Sequence, residues 1–312
     1  MIIDTHYHQI PAMPDEMIGA LLSDITRALK IMNKKIDIDD LIEKAKASWA
    51  DPDGEKLIAG MDESGVDYTV ICAIDTIAGG AVTTEMAQFQ NKMVADVARN
   101  NPDRVMALAG IDPRRENAVD MLCECFDDFG MRGVKYHPDF GFDPSGPESY
   151  KLLEVLESKG GILLSHTGPL HPPSRSKFAE PVLLADIGVD FPDLKVIAAH
   201  MGYINWRPWA ALATHQPNLF GDLAMWDVYA FGRYELFCRE LRDLIDFAGV
   251  EKVLFGTDNP IFSIVRPTKD WIQLIKDLPE KAPAGIKFTN EEVDAILGGN
   301  AARILGLTKD NA

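Results

Sequence analysis

Short apolar runs alternate with amphipathic segments along the whole chain. The runs are rich in Val, Ile and Leu and lie at 1–4, 66–75, 104–112, 132–138, 161–166, 194–200, 218–224 and 252–258. Runs of this length that are apolar on both faces are typical of parallel strands buried between two layers of structure. The pattern therefore predicts eight strands.

The segments between the runs repeat their apolar residues at helical spacing. In residues 115–130 one stripe along the predicted helix is formed by Ala118, Met121, Leu122, Cys125, Phe126 and Phe129. The last helical pattern, 288–307, begins with Thr289 and Glu292 at the spacing of a capping box. A helix after each of eight strands predicts an α/β fold, the (β/α)8 TIM barrel. A doubly wound sheet is the main alternative, but no glycine-rich segment follows the first strand to hold a dinucleotide.

The connection between the first and second strands, roughly residues 9–60, is far longer than an ordinary loop between a strand and a helix. It contains helical patterns at 14–32 and 37–49. In a barrel this connection leaves from the catalytic face, so we expect a helical insertion that covers this face as a lid. A decorative helical hairpin is the alternative. We expect residues 1–312 to form one domain that carries this insertion.

Composition and charge limit the partners of the protein. Of the 312 residues, 46% are hydrophobic, and 48 acidic residues against 31 basic ones give a formal charge of −17. This charge opposes binding to nucleic acid or to an anionic membrane, but it does not exclude a small anionic substrate. The sequence shows no signal peptide and no apolar run near the ~20 residues that span a bilayer. We therefore expect a cytoplasmic protein with a small-molecule substrate.

The seven histidines are unevenly distributed along the chain. Most of them follow an apolar run, and a carboxylate follows the eighth run in the same way. The residues at predicted strand ends are His6, His8, His137, His166, His200 and Asp258. In a barrel all these positions lie at the C-terminal rim of the strands, where barrel enzymes build their active sites. This distribution favours a chemical role over chance.

The first strand shows how these side chains could converge. Asp4, His6 and His8 share one face of the strand because side chains alternate with a period of two. Neutral imidazoles with a carboxylate are the usual ligands of a catalytic zinc or a similar divalent ion. Such an ion activates water near neutral pH, and a histidine within reach of that water can act as general acid or base. Asp4 is then a candidate for holding the first strand beneath the ion.

Four motifs resemble those of a known family. D-x-H-x-H at 4–8, LLSHTG at 163–168, AAHMG at 198–202 and GTDNP at 256–260 occur in the order found in the amidohydrolase-related family. This branch of the amidohydrolase superfamily contains predicted metal-dependent hydrolases and several decarboxylases, among them the aminocarboxymuconate-semialdehyde decarboxylase group. The family often forms dimers or larger assemblies, so the resemblance also makes a homodimer a candidate.

The resemblance implies roles for individual residues. His6, His8, His166 and Asp258 match the metal ligands of the family, and we expect one divalent ion, with zinc the favoured metal. His200 matches the acid/base histidine of members with a single metal, and Asp258 is the second candidate for moving the catalytic proton. The fourth strand ends in KYHP, where members with two metals often carry a carboxylated lysine or a glutamate, and this departure favours a single ion.

Three further residues are candidates for binding the substrate. His137 follows the fourth strand, His171 follows the fifth-strand ligand in HTGPLHPP, and Arg27 on the insertion could clamp a substrate carboxylate. Each has an ordinary structural alternative: packing at the rim for His137, an exposed loop for His171 and a solvated helix face for Arg27. His215 precedes the seventh strand, at the wrong end of a barrel, and is expected at the surface.

Three functions compete at this stage. The first is a metal-dependent hydrolase that attacks a small, carboxylate-bearing substrate with activated water. The second is a non-oxidative decarboxylase in which His200 protonates the carbon that loses CO₂. The third is a non-catalytic barrel that keeps the ion for structure. The sequence favours the hydrolase modestly, because no motif places an arginine beside the metal.

Overall fold

The computed structural model describes residues 1–12, 15–78, 82–170, 172 and 174–307. These residues contain eight strands, connected in chain order by helical segments. The strands are β1 (Ile3–His8), β2 (Tyr68–Cys72), β3 (Val105–Gly110), β4 (Gly133–Tyr136), β5 (Ile162–His166), β6 (Lys195–Ala199), β7 (Leu219–Asp222) and β8 (Val253–Leu254).

The helices lie between these strands and after β8. They are α1 (Asp15–Ile31), α2 (Ile38–Ser48), α3 (Glu55–Ser64), α4 (Thr84–Asn100), α5 (Ala118–Asp127), α6 (Pro147–Ser158), α7 (Ala185–Asp190), α8 (Arg207–Ala213), α9 (Asp227–Gly232), α10 (Tyr234–Ala248), α11 (Thr268–Lys276), α12 (Leu278–Lys281), α13 (Asn290–Asp294) and α14 (Asn300–Leu305). The capping box at the start of α13 is confirmed, since the side chains of Thr289 and Glu292 each accept a hydrogen bond from the other's backbone N–H. No described helix is both long enough and apolar enough to span a membrane.

The sheet order is β1 to β8 in the order of the chain. Each strand is followed by at least one helix, which confirms the predicted (β/α)8 class. Most strands are shorter than their apolar runs, and the difference at the C-terminal end is largest for β8, which ends at Leu254 although the run continues to 258. The reason lies in the backbone, since the N–H of Phe255 donates to the carbonyl of Ile296 and Asp258 has a φ of 58°.

Two compact units make up the chain, residues 1–68 with 223–312 and residues 69–222. In the first unit, here called the terminal unit, β1 runs beside the segment that begins with β8. Thr5 N–H donates to the carbonyl of Phe255 at 3.0 Å, and His8 N–H donates to the carbonyl of Asn259 at 2.7 Å. These bonds bring the ends of the chain together and fix His6 and His8 beside residues 258–259.

The insertion after β1 packs inside the terminal unit. Its first two helices, α1 and α2, bury one apolar face against the segments that follow β7 and β8. The buried cluster includes Ile18, Leu22, Ile25, Leu41, Trp49, Val228, Phe262 and Val265. Trp49 Nε1–H also donates to the carbonyl of Ile261 at 3.1 Å. The predicted helical insertion is confirmed, and its movement as a lid stays a prediction.

The second unit, here called the central unit, contains β3 to β7, all but the first residue of β2, and α4 to α8. Its strands form a continuous parallel ladder in which Tyr136 pairs with Ser165, and His166 pairs with Ala199. All of these strands are buried except for the first residue of β6. The register makes the C-terminal ends of β4, β5 and β6 neighbours, and a histidine lies at each of these ends.

Candidate functional site

Three candidate ligands of the terminal unit meet at one point. Nε2 of His6 lies 3.2 Å from Nε2 of His8, and Oδ1 of Asp258 lies 3.3 Å from the first nitrogen and 3.1 Å from the second. Atoms that share one ion at about 2.1 Å are about 3.0–3.4 Å apart at octahedral or tetrahedral angles. The three atoms therefore fit the coordination sphere of a divalent ion. Hydrogen bonds have similar lengths, so metal analysis has to distinguish the two arrangements.

Asp4 supports this group from below. Its carboxylate accepts the N–H of His6 at 3.1 Å, the N–H of Thr257 at 3.0 Å and the hydroxyl of Thr257 at 2.6 Å. The first residue of the D-x-H-x-H motif is thus hydrogen-bonded to Thr257, the second residue of GTDNP. This agrees with the expectation that Asp4 holds the first strand beneath the ligands, and it explains why the two motifs meet.

The backbone around Asp258 is unusual. Asp258 has a φ of 58°, a left-handed conformation that costs an L residue other than glycine about 1 kcal/mol or more. Its N–H donates to the carbonyl of His6 at 2.8 Å, and the next residue accepts the N–H of His8. The Asp258 side chain keeps 14% of its surface exposed, whereas the His6 side chain is fully buried. The carboxylate therefore forms the solvent-facing side of the group.

The central unit brings three other candidate histidines together. The rings of His137 and His166 are stacked, with centroids 5.2 Å apart and an interplanar angle of 11°. The ring of His200 meets that of His166 edge to face, with centroids 5.0 Å apart. We call these three residues the histidine row. All three are buried, at the C-terminal ends of β4, β5 and β6.

The hydrogen bonds of His166 indicate its tautomer. Its Nε2 lies 3.1 Å from the carbonyl oxygen of Gly168, which can only accept, so Nε2 carries the hydrogen. The lone pair is then on Nδ1. A histidine that donates one ring N–H to a backbone carbonyl and offers the other nitrogen is the usual arrangement of a metal ligand. The sequence prediction for His166 is compatible with this geometry.

His137 is held by a carboxylate on its own loop. Its Nδ1 lies 3.2 Å from Oδ1 of Asp139, and its ring also stacks on Phe140. Burial lowers the pKa of His137 to about 3, against the opposing effect of Asp139, so the ring is neutral. Burial acts to raise the pKa of Asp139, but hydrogen bonds from His137 and from the hydroxyl of Ser174 hold it below its usual value.

The remaining candidates lie elsewhere. Arg27 is on α1 with its side chain exposed, and His215 is exposed just after α8, as expected for a surface residue. His171 lies outside the described residues, so its predicted contact with the substrate stays a prediction. Within the described part of the chain, the structure therefore places six of the candidates in two groups of three, one in each unit, and leaves Arg27 at the surface.

Sequence analysis missed a buried carboxylate at the end of β7. Asp222 is the last residue of β7, is fully buried, and accepts the backbone N–H of His200 at 2.9 Å. The rule that found Asp258, a carboxylate after an apolar run, would also have found Asp222. The predicted seventh run continues to 224, past the end of β7 at Asp222, so the sequence pattern did not mark Asp222 as a strand end.

Comparison with known proteins gives a family and a set of folds. The family model described as Amidohydrolase matches residues 3–307. No curated protein sequence matches the chain. Solved structures match over nearly their full length, at identities that show the fold alone.

Three of these structures represent the activities named among them. A dihydroxybenzoic acid decarboxylase from Polaromonas sp. JS666, solved with manganese and 2-nitroresorcinol, has a TM-score of 0.67 and 18% identity, covering 99% of this chain and 98% of its own. The 5-carboxyvanillate decarboxylase from Sphingomonas paucimobilis has a TM-score of 0.64 and 19% identity, covering 98% and 99%. A probable 2-pyrone-4,6-dicarboxylic acid hydrolase from Acinetobacter baumannii, solved with citric acid, has a TM-score of 0.63 and 16% identity, covering 98% and 99%.

Proposed function

This chain belongs to the amidohydrolase family, and we propose that it is a metal-dependent, non-oxidative decarboxylase of a small aromatic carboxylic acid. The observation that carries the metal dependence is the convergence of His6, His8 and Asp258 at mutual distances of 3.1–3.3 Å. Decarboxylation replaces hydrolysis, which the sequence favoured modestly, as the main proposal.

The preference for decarboxylation is supported by the solved structures with this fold. Decarboxylases acting on hydroxylated or methoxylated benzoic acids recur among them, from several organisms, and two were solved with manganese. Identities below 25% do not transfer an activity, so these proteins supply the substrate class for the first test. They also give manganese equal standing with zinc as the ion to look for.

We propose that His6, His8 and Asp258 hold one divalent ion, with His166 as a further ligand. Two imidazoles and a carboxylate suit zinc or manganese, and the buried histidines place the ion out of bulk water. The bound ion would act as a Lewis acid that orients a carboxylate or hydroxyl oxygen of the substrate. Because Asp258 is partly exposed, it lies on the side from which a substrate would arrive.

His200 supplies the proton in this proposal. When the bond from the ring carbon to the carboxylate breaks, its electron pair stays on the carbon and CO₂ leaves. A proton from a ring nitrogen of His200 bonds to that carbon, so the product is the arene in which hydrogen replaces the carboxylate. His200 is buried beside His166, where a general acid is shielded from water. His137 is the proposed contact for a polar group of the substrate.

Hydrolysis is the second candidate, and one specific observation favours it. The probable 2-pyrone-4,6-dicarboxylic acid hydrolase shares the fold with this chain at nearly full coverage. The same ligands and the same acid/base histidine would serve to open a lactone. The two candidates therefore differ in the bond that breaks, and they agree on the residues that hold the ion.

The deciding experiment measures decarboxylation and lactone hydrolysis with the same purified protein. The protein is loaded with zinc or manganese and incubated with 2,6-dihydroxybenzoate, 5-carboxyvanillate and 2-pyrone-4,6-dicarboxylate. We expect release of CO₂ from a benzoate and no opening of the pyrone. His200→Asn is expected to slow that release about 10²–10⁴-fold, while His215→Asn, at an exposed position of the same unit, leaves it unchanged. Opening of the pyrone without CO₂ release would replace the main proposal with hydrolysis.

A further inference from the structure

The segment that carries His200 has a strained backbone. His200, Met201, Gly202 and Tyr203 have φ values of 65°, 54°, 79° and 59°, four left-handed residues in succession. Three of them are not glycine, and each costs about 1 kcal/mol or more in this conformation. Such a turn persists only where the surrounding structure fixes it. The contacts that fix this turn therefore decide where the imidazole of His200 stands.

Asp222 makes the first of these contacts. In the ladder between β6 and β7, Ala198 pairs with Gly221, and Val196 N–H donates to the carbonyl of Asn218. Continuing this ladder by two residues at each step would send the N–H of His200 to the main-chain carbonyl of residue 222. Instead, it donates to the side-chain Oδ1 of Asp222 at 2.9 Å. The carboxylate ends the ladder and turns the chain at the residue that bears the imidazole.

Thr167, the residue after β5, contacts the same turn from the other side of β6. Its hydroxyl donates to the carbonyl of Ala199 at 2.6 Å and accepts the N–H of Gly202 at 2.8 Å. Thr167 and Asp222 are both almost completely buried. Thr167 and Asp222 thus form hydrogen bonds to the backbone at the two ends of the turn.

The side-chain packing of the turn is equally specific. Met201 is fully buried, and a Cβ added to Gly221 would lie 2.2 Å from Cγ of Met201. Only glycine at 221 leaves room for this side chain. A carboxylate oxygen of Asp222 also lies within 4.8 Å of a ring nitrogen of His200, so the same side chain adjoins both the backbone and the imidazole.

We propose that Asp222 is a positioning residue: its carboxylate fixes the left-handed backbone of His200 and thereby holds the imidazole beside the ring of His166. This role rests on the proposed function in one respect, namely that His200 transfers the catalytic proton. A displacement of a catalytic group by about 1 Å can cost about 100-fold in rate, even when nothing that touches the substrate has changed.

The test uses a matched pair of variants of the full-length, metal-loaded protein. Asp222→Ala removes the acceptor of the His200 N–H, whereas Asp222→Asn removes the charge and keeps an oxygen that can accept it. For the acid with the fastest CO₂ release in the screen, we expect Asp222→Ala to lower kcat about 100-fold with KM and metal content within about twofold. We expect Asp222→Asn to stay within about fivefold of the wild-type kcat. A loss in Asp222→Asn as large as in Asp222→Ala would overturn positioning by the hydrogen bond.

A second pair covers the case in which Asp222→Ala does not fold. Thr167→Val keeps the volume of the side chain and removes the contacts to Ala199 and Gly202, while Thr167→Ser retains both. We expect about a tenfold lower kcat for Thr167→Val and close to wild-type kcat for Thr167→Ser, at equal metal content. Equal kcat for the two variants would contradict the role of these hydrogen bonds in this turn.

Crystal structures separate this inference from the proposed function. In Asp222→Ala the φ of His200 is expected to leave the left-handed region, and in Asp222→Asn it is expected to stay there. This readout needs no substrate. If His200→Asn keeps full turnover, the proposed role of His200 fails, while the crystal structures still decide whether Asp222 fixes its backbone. A His200 φ that is unchanged in Asp222→Ala would overturn the inference itself.

Discussion

The terminal unit and the central unit use histidine in two different ways. His6, His8 and Asp258 of the terminal unit are here called the ligand group, and they are compared with the histidine row of the central unit. In the ligand group, Nε2 of His6 and Nε2 of His8 lie 3.2 Å apart beside the carboxylate of Asp258. In the histidine row, ring centroids are 5.0–5.2 Å apart, and the nitrogens of His137 and His166 contact groups on their own loops.

This difference indicates a division of labour. Nitrogens that converge with a carboxylate are arranged to share one ion. Rings that stack, each with its own hydrogen-bond partner, are arranged to keep separate orientations and tautomers. The arrangement in the terminal unit suits the proposed role of holding a divalent ion, and the arrangement in the central unit suits the proposed roles of moving a proton and contacting the substrate. Each of the following predictions tests one side of this comparison.

The largest effect is expected from removing a ligand of the terminal unit. His8→Ala takes away one of three converging donor atoms, so we expect metal content to fall from about one ion per chain to near zero and turnover to become undetectable. Elemental analysis after dialysis measures the metal directly. His215→Ala serves as the control and should retain both metal and turnover. Full metal content in His8→Ala would contradict the assignment of the ligand group.

His200→Asn should separate the two regions. The substitution removes the proton donor and leaves the ligand group intact, so we expect metal content to be unchanged and kcat to fall about 10²–10⁴-fold. Steady-state kinetics with parallel metal analysis measures both quantities. Loss of the ion together with activity would instead assign His200 to metal binding and remove the distinction between the regions.

Asp4→Ala tests how the terminal unit holds its ligands. The buried carboxylate accepts three hydrogen bonds, two of them from Thr257, and its removal leaves these donors without it. We expect the free energy of unfolding to fall by about 2–4 kcal/mol, measured by urea denaturation of the metal-free protein. Asp103→Ala, at an exposed position of the central unit, is the control. A difference below about 0.5 kcal/mol between the two variants would show that Asp4 does not support the strand.

The smallest effect is expected at His137. His137→Gln keeps a polar side chain but loses the stacked ring, so we expect KM to rise about tenfold with kcat within about threefold and metal content unchanged. The split between KM and kcat distinguishes substrate contact from proton transfer. If kcat fell as much as in His200→Asn, His137 would take part in proton transfer as His200 does, and its assignment as a substrate contact would be wrong.

Much of the fold could be predicted because it depends on local pattern. Apolar runs and helical stripes gave the eight strands, the capping box at Thr289 and the helical insertion after β1. Strand ends were less predictable: β8 stops at Leu254 because Phe255 donates to a distant carbonyl, which no local pattern records. Asp222 was missed for the same reason, because β7 ends inside its apolar run and the pattern does not show where.

Within the candidate site, the residue types and their positions at strand ends followed from the sequence, together with the role of Asp4 in supporting the first strand. The sequence did not reveal the hydrogen bonds from Asp4 to Thr257, since these residues are far apart in the chain and meet only through the pairing of β1 with the segment after β8. Nor did it reveal that Asp139 holds the ring of His137.

The sequence alone determined the (β/α)8 class, the family and the set of histidines and carboxylates available for chemistry, because periodicity and short motifs are local properties of the chain. The tertiary structure decided which nitrogens converge on Asp258, which rings stack, and how Asp222 and Thr167 hold a left-handed turn under His200. These features depend on strand register and on backbone conformations that are unfavourable in isolation, and only contacts between distant segments can stabilise them. DTHYH at residues 4–8 thus supplies two histidines and the carboxylate of Asp4 that supports them, and the fold brings the carboxylate of Asp258 to the two imidazoles.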